Sequence, residues 1–171
     1  LINGSKIISN SHIVAKGNKE DPIRIFSSDN SGQCILIMND INTSILNYVY
    51  FKNLSNCSTQ TLELTGAITF YKTNIVMDHV SFEDNVKGDD YLNLINSKFE
   101  LRNLIFINTF ADGLDIDFSE GKISGIVCKN CKNDAIDLSN SSISIENLLA
   151  DNIGDKAISV GENSFLKGNN I

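Results

Sequence analysis

The sequence is poor in the residues that several classes of function need. Among its 171 residues it has only two arginines, Arg24 and Arg102, and its formal net charge is −7. A protein that binds nucleic acid presents a basic surface to the phosphates, so this charge balance argues against a nucleic-acid partner. No stretch approaches the roughly 18 consecutive apolar residues of a membrane-spanning helix. A negative net charge is instead compatible with cation binding.

Cysteine and histidine are also scarce, which limits the metal chemistry. Cys128 and Cys131 form a CxxC, but the sequence has no second CxxC and no nearby histidine to complete a zinc site. We therefore expect a core thiol beside a turn thiol, and not a metal or redox pair. The sequence leaves open whether Cys34 and Cys57 are paired.

A sustained helical period is missing as well. Short runs alternate apolar and polar residues, and they are separated by Asn, Gly, Ser and Asp, with Pro22 as the one proline. A period of 2 is typical of β-strands. The pattern predicts an all-β chain.

What the sequence does contain is a repeat of 22 residues. Two apolar columns and one polar column recur at that spacing. The apolar columns are Leu92, Leu114, Ile136 and Ile158, and then Leu94, Ile116, Leu138 and Val160. The polar column between them is Asn93, Asp115, Asp137 and Ser159. Such a repeat predicts a solenoid in which like residues stack above like residues, about 4.8 Å apart.

A fourth column marks a turn in each coil. Asn103, Gly125 and Asn147 are 22 residues apart, and Asn and Gly are the residues that best tolerate a left-handed backbone. His79 falls in the same column, so we expect it to be a turn residue and not a catalytic base. A 22-residue repeat with three short strands closes one coil of a parallel β-solenoid.

The N-terminal half follows the repeat less closely. Residues 45–53 resemble residues 76–85, about 31 positions on, and residues 61–66 resemble residues 91–96. The excess predicts an insertion around 55–75, within 66–73 in particular. We treat 1–171 as one β-helix domain, and we expect it to be a fragment of a longer chain because neither end resembles a cap.

The repeated phrases NDAID, DGLDID and DKAIS, with a turn Asn in each coil, resemble right-handed parallel β-helix proteins of the pectate-lyase-like type, in particular bacterial β-helix modules. The resemblance implies a right-handed, single-stranded β-helix. Its members include polysaccharide lyases, glycoside hydrolases, uronate epimerases, tailspikes and adhesins, so it does not fix the activity. Asp89-Asp90 matches the paired Asp of the hydrolases, but their G-H-G motif and the D-P-H-D motif of the epimerases are absent.

The polar column suggests a cation site. In stacked coils Asp115 and Asp137 point outward about 5 Å apart, and like charges at that distance need a cation, a proton or a basic partner. Carboxylate and amide oxygens suit Ca²⁺, which could bridge the protein to an acidic polysaccharide. The candidate ligands are Asn93, Asp112, Asp115, Asp117, Asp134 and Asp137.

Two other interpretations of these aspartates stay open. One is catalytic, with Asp115, Asp137 or Asp134 acting as a general acid or base. The other is structural, because Asp side chains in turns bind backbone N–H groups, and Lys156 can pair with Asp134 one coil earlier.

A further column, Ile105, Val127 and Leu149, should face outward as an apolar stripe. Three functions fit this sequence. The first is a non-catalytic structural or carbohydrate-associated module of a secreted or envelope protein, although no signal peptide is visible. The second is a polysaccharide-active enzyme, and the third is a spike or adhesin element that self-associates through the stripe. An acidic or neutral polysaccharide is the expected partner.

Overall fold

Fifteen strands wind into a parallel β-solenoid of about seven turns in the computed structural model, which describes residues 1–58 and 63–171. No helix occurs in those two ranges, and therefore none that could cross a membrane. The predicted all-β parallel solenoid is confirmed. Its right-handed sense stays a prediction, supported by the rule that crossovers between parallel strands are right-handed.

The strands form two sheets. The first sheet has the order β1 (Ile7–Ser9), β4 (Ile35–Met38), β6 (Gly66–Tyr71), β8 (Asp90–Ile95), β10 (Asp112–Asp117), β12 (Ile136–Ser139) and β14 (Ser159–Val160). The second has the order β15 (Phe165–Asn169), β13 (Ser142–Asp151), β11 (Glu120–Lys129), β9 (Lys98–Ile107), β7 (Asn74–Glu83), β5 (Thr43–Lys52) and β2 (Val14–Lys16), and β3 (Ile23–Phe26) also pairs with β5.

The long strands of the second sheet bend at their sixth residue. That residue has a positive φ in all five ten-residue strands: Tyr48 (49°), His79 (53°), Asn103 (53°), Gly125 (77°) and Asn147 (59°). The bend divides each long strand into two segments, so that a coil has three short strands together with its first-sheet strand. The predicted turn column is confirmed, and with it the turn position of His79.

The repeat length is 22 residues from β8 to β14, and β13 and β15 are 23 residues apart. Asp115 pairs with Asn93 and Asp137, each 22 positions away, whereas Ile68 pairs with Leu92, 24 positions on, and Ile35 with Ile68, 33 positions on. The solenoid as a whole has about 24 residues per turn.

The extra residues of the early coils lie between β5 and β6, at 53–65. The placement of the insertion within 66–73 is wrong, because Gly66–Tyr71 is a first-sheet strand whose side chains are mostly buried. The alignment of 45–53 with 76–85 is confirmed by the pair Ile45 and Val76. The alignment of 61–66 with 91–96 falls partly outside the described residues, and Gly66 pairs with Asp90 instead.

Stacked apolar side chains fill the interior. Phe82 lies between Phe51 and Phe106, with ring centroids 5.4 and 4.6 Å away. Leu114 and Ile136 are fully buried above one another. Burial of each such side chain stabilises the fold by roughly 1.5–3 kcal/mol, so one apolar column in the sequence becomes one continuous stack of the core.

The cysteines fall into two pairs. Cys34 and Cys57 form a disulfide with their Cα atoms 4.9 Å apart, which ties segment 53–65 to the start of β4. Cys128 and Cys131 are buried free thiols, one in β11 and one in the turn that follows it. The expected core thiol and turn thiol are thus confirmed.

Candidate cation site on the first sheet

Acidic side chains gather on the outer surface of the first sheet, at strands β8, β10 and β12. Because side chains alternate along a strand, Leu114 and Ile116 enter the core while Asp115 faces outward between them. Asp115 lies in register with Asn93 on one side and Asp137 on the other. We name this surface the acidic face; its members are Asp90, Asn93, Asp112, Asp115, Asp117, Asp134 and Asp137.

Two of the predicted ligands accept hydrogen bonds from the backbone of the next coil. Asp112 Oδ1 accepts hydrogen bonds from the backbone N–H of Asp134 at 2.8 Å and from Asn133 Nδ2 at 2.7 Å. Asp134 Oδ1 accepts one from the backbone N–H of Lys156 at 2.8 Å, and Lys156 Nζ lies 3.6 Å from the same oxygen. The structural interpretation therefore holds for Asp112 and Asp134, although each keeps a second carboxylate oxygen.

Asp90 belongs to the acidic face but is missing from the predicted ligand set. It lies 22 residues before Asp112, pairs with it, and is almost fully buried. Burial raises the pKa of Asp90 to about 6, against the opposing effect of hydrogen bonds from Thr65 and Asn93. The repeat spacing was the signal that could have identified Asp90.

Asn93 is the central polar residue, and only 1% of it is exposed. Its Nδ2 donates to Asp115 Oδ2 at 2.6 Å, to Asp90 Oδ2 at 3.1 Å and to Thr65 Oγ1 at 3.3 Å. Its Oδ1 is buried and has no hydrogen-bond donor among the described residues. A buried carbonyl left unpaired costs about 1–3 kcal/mol, so Asn93 holds an unused acceptor inside the cluster.

The carboxylates of the acidic face destabilise one another's ionised forms. Burial raises the pKa of Asp115 to about 9, and the charges of Asp90, Asp117 and Asp137 add to the rise. Burial also raises the pKa of Asp117. Without a cation, burial and the neighbouring carboxylates therefore favour the protonated form of Asp115.

The spacing of the carboxylates fits a calcium ion. Asp112, Asp134 and Asp137 each present one oxygen, and these atoms all lie within 4.8 Å of one another. Because Ca²⁺–oxygen distances are about 2.3–2.6 Å, two oxygens that bind one ion are separated by at most about 5 Å. All six predicted ligands thus lie on one surface, with Asn93, Asp115 and Asp117 beside this triad.

The residues that would make the acidic face resemble a lyase site lie elsewhere. Arg102 is in β9 of the second sheet, where it bonds to Glu100 and lies 3.9 Å from Asp78. His79 contacts Asp78 at 2.8 Å on the same sheet. Among the described residues Lys156 is the cation that contacts the acidic face.

The predicted apolar stripe is present, and its three residues lie in register on neighbouring strands. Ile105, Val127 and Leu149 pair across three neighbouring strands; Ile105 and Leu149 are exposed, and Val127 is half-buried. With His79 and Gly125 they line a shallow groove of about 630 Å³.

The strand pairing shows a parallel β-solenoid, which is consistent with the pectate-lyase-like superfold that the repeated phrases resemble. Comparison of the chain with known proteins found no matching family model, no matching curated protein and no matching solved structure.

Proposed function

We propose that this chain is a rigid, non-catalytic and carbohydrate-associated module of an extracellular or envelope protein, and that its acidic face holds a calcium ion. We place it in the pectate-lyase-like superfold on the resemblance of its repeats. The observation that carries the proposal is the buried Oδ1 of Asn93, which has no donor among the described residues although it lies among carboxylates. A hard cation is the partner that an unpaired carbonyl and several carboxylates can share.

A bound cation would also relieve the repulsion on this face. Asp115 and Asp117 have raised pKa values because burial and neighbouring carboxylates disfavour their charge. A divalent ion favours the ionised forms and replaces the proton between them. Its role in this proposal is to hold adjacent coils together.

We infer the non-catalytic character from the basic residues near the carboxylates of the acidic face. No histidine or arginine of the described residues contacts the acidic face, and Lys156 is engaged by Asp134 and Asp155. The location outside the reducing cytosol is supported by the Cys34–Cys57 disulfide, since disulfides persist mainly in oxidising compartments.

Thermal unfolding with and without calcium tests the ion site. We expect calcium at about 100 times its Kd to stabilise the wild type by about 2.7 kcal/mol, which raises the Tm by roughly 5–10 °C. Asp115→Asn should lose most of this shift. Asp151→Asn, which alters an exposed carboxylate of the second sheet, should keep it. An unchanged wild-type Tm, or an equal shift in Asp115→Asn, would remove the ion from the proposal.

An enzyme that acts on acidic polysaccharide is the second candidate. It is favoured by Asp115, whose pKa of about 9 leaves it a protonated acid next to the carboxylate of Asp137. Incubation with pectate and alginate in calcium, followed by detection of unsaturated or shortened products, separates the two candidates. Turnover that Asp137→Asn abolishes would establish the enzyme and reject the non-catalytic module.

A self-associating element is the third candidate, favoured by the groove at Ile105, Val127 and Leu149. Aligned aliphatic side chains on an outer surface are a common basis for contact between chains.

A further inference from the structure

A groove runs along the corner where each first-sheet strand passes into a second-sheet strand. It is an open groove that spans successive coils and has a volume of about 800 Å³. It is lined by Asn96, Phe118 and Asn140, by Lys98 and Glu120, which lie two residues after Asn96 and Phe118, and by Phe165. We name it the corner groove. It is separate from the acidic face, with which it shares no lining residue.

Phe118 is the one aromatic residue at the bend of this corner among the described coils. Three equivalent residues, Asn96, Asn140 and Asn163, have φ values of 49°, 51° and 53°, which asparagine tolerates, and Lys72 has a φ of 51° at the same position. Phe118 adopts the same left-handed backbone, with φ of 49°. For a bulky side chain that conformation is unfavourable, by about 1–2 kcal/mol.

The packing of Phe118 does not compensate for this strain. The side chain is 61% exposed, and no aromatic ring or cation of the described residues stacks on it. A strained and exposed aromatic residue that lines a groove is explained by contact with a ligand better than by folding.

The other groups of the corner groove indicate the chemistry of that ligand. Phe165 is a second ring, 63% exposed and two coils further on, which is about 10 Å along the axis. Asn96 and Asn140 are exposed amides one coil on either side of Phe118. The groove thus offers flat apolar faces beside groups that donate and accept hydrogen bonds.

The charges of the corner groove cancel, unlike those of the whole chain. Lys98 Nζ lies 2.6 Å from Glu120 Oε1, and the remaining charged lining residues are Lys72 and Asp40. A groove with no net charge fits an uncharged ligand, and the chain's net charge of −7 disfavours nucleic acid.

A peptide strand is also a poor occupant. Peptides that add to a sheet need a strand edge with free backbone groups. The strands that border the corner groove, such as β9, β11 and β13, are already paired on both sides.

We propose that the corner groove binds a linear, uncharged oligosaccharide, with the ring of Phe118 stacked against one face of a sugar. Sugar rings present apolar C–H faces and hydroxyl edges, which match the phenyl rings and the amides. The inference rests on the proposed association with carbohydrate, but it is independent of the calcium site.

Calorimetric titration with three uncharged hexaoses, cellohexaose, xylohexaose and mannohexaose, and with the acidic hexagalacturonate tests it, each in calcium and in chelator. We expect at least one of the uncharged hexaoses to bind the wild type, and Phe118→Asn to weaken that binding at least tenfold. Because asparagine suits the backbone at this position, Phe118→Asn should have an equal or higher Tm, so that lost binding is not lost folding. Phe110→Ala, which removes a ring beside Lys132 on another edge, is the matched control and should bind like the wild type.

The inference is overturned if none of the three uncharged hexaoses binds, or if Phe118→Asn binds as tightly as the wild type. Binding of hexagalacturonate alone would overturn the uncharged character of the ligand. These outcomes are distinct from failure of the ion site, because saccharide binding in chelator with no calcium effect on the Tm would reject the ion and support the groove.

Discussion

A hydrogen bond of 2.6 Å joins Nδ2 of Asn93 to Oδ2 of Asp115, one coil further along the solenoid. The same amide group carries the buried Oδ1 that has no donor among the described residues. The Asn93 side chain is thus bonded to the acidic face through Nδ2, while its Oδ1 receives no hydrogen bond from the described residues. Partly satisfied buried polar groups are destabilising in a low-dielectric surrounding, so this pair is where a bound cation would have the largest effect.

In chelator, the stability of the protein should fall as the pH rises from about 4 to 9. The pKa values of Asp90 and Asp115 are raised to about 6 and about 9, so the folded state binds more protons than the unfolded state across that range. Their contribution is therefore complete below the unfolded pKa of about 4 and is lost as the pH passes the folded values.

Urea unfolding at several pH values measures this dependence. Asp115→Asn should reduce the loss of unfolding free energy between pH 4 and pH 9 by a few kcal/mol, since one pKa unit corresponds to about 1.4 kcal/mol. Asp151→Asn should retain the wild-type slope. Parallel profiles for the wild type and Asp115→Asn would contradict the assignment of Asp115 as a protonated acid.

The disulfide should contribute about 3 kcal/mol to the free energy of unfolding, because it closes a loop of 23 residues. A Cys34→Ala/Cys57→Ala variant should therefore unfold at a lower urea concentration. Thiol titration gives an independent check. The folded wild type should show almost no reactive thiol, the denatured chain two from Cys128 and Cys131, and the reduced, denatured chain four; four thiols without reduction would contradict the pairing.

Two glycines of β11 should differ in their tolerance of substitution. A Cβ on Gly121 would overlap the backbone oxygen and ring of Phe99, so Gly121→Ala should cost about 1–3 kcal/mol. Gly125 has a φ of 77° in the turn column, where asparagine recurs, so Gly125→Asn should change stability by less than about 0.5 kcal/mol. The midpoints of thermal unfolding of the two variants measure this difference. An equal loss of stability in both variants would contradict the assignment of Gly125 to the turn column.

Val127→Lys tests self-association through the apolar stripe. Val127 is half-buried between Ile105 and Leu149, and a lysine there would put a charge in the middle of the proposed contact. If the wild type is oligomeric, the variant should have a smaller mass in light scattering. Lys122→Glu, on the same strand but outside the stripe, is the control; an unchanged mass for Val127→Lys would reject this interface.

The acidic face was predictable in outline because a solenoid converts sequence spacing into spatial neighbourhood. Residues one repeat apart become neighbours in adjacent strands, so the column Asn93, Asp115 and Asp137 could be identified from the spacing of 22 alone. The alternation of apolar and polar residues then showed which side chains enter the core. The position of Phe118 could be identified in the same way, since Asn96 and Asn140 lie at the repeat spacing on either side of it.

The sequence by itself determined the repeat, the β-solenoid and the register of the acidic residues, because each depends on contacts between equivalent positions of successive coils. Only the tertiary structure decided the course of the early coils, the Cys34–Cys57 disulfide and the burial of Asp90 and Asn93. These depend on described residues between β5 and β6 that have no equivalent in the repeat, among them Cys57 and Thr65, which contacts Asn93 of the acidic face. Residues with no equivalent one coil away leave no periodic signal in the sequence. Their contacts, and the pKa shifts of the carboxylates that they bury, are therefore visible only in the tertiary structure.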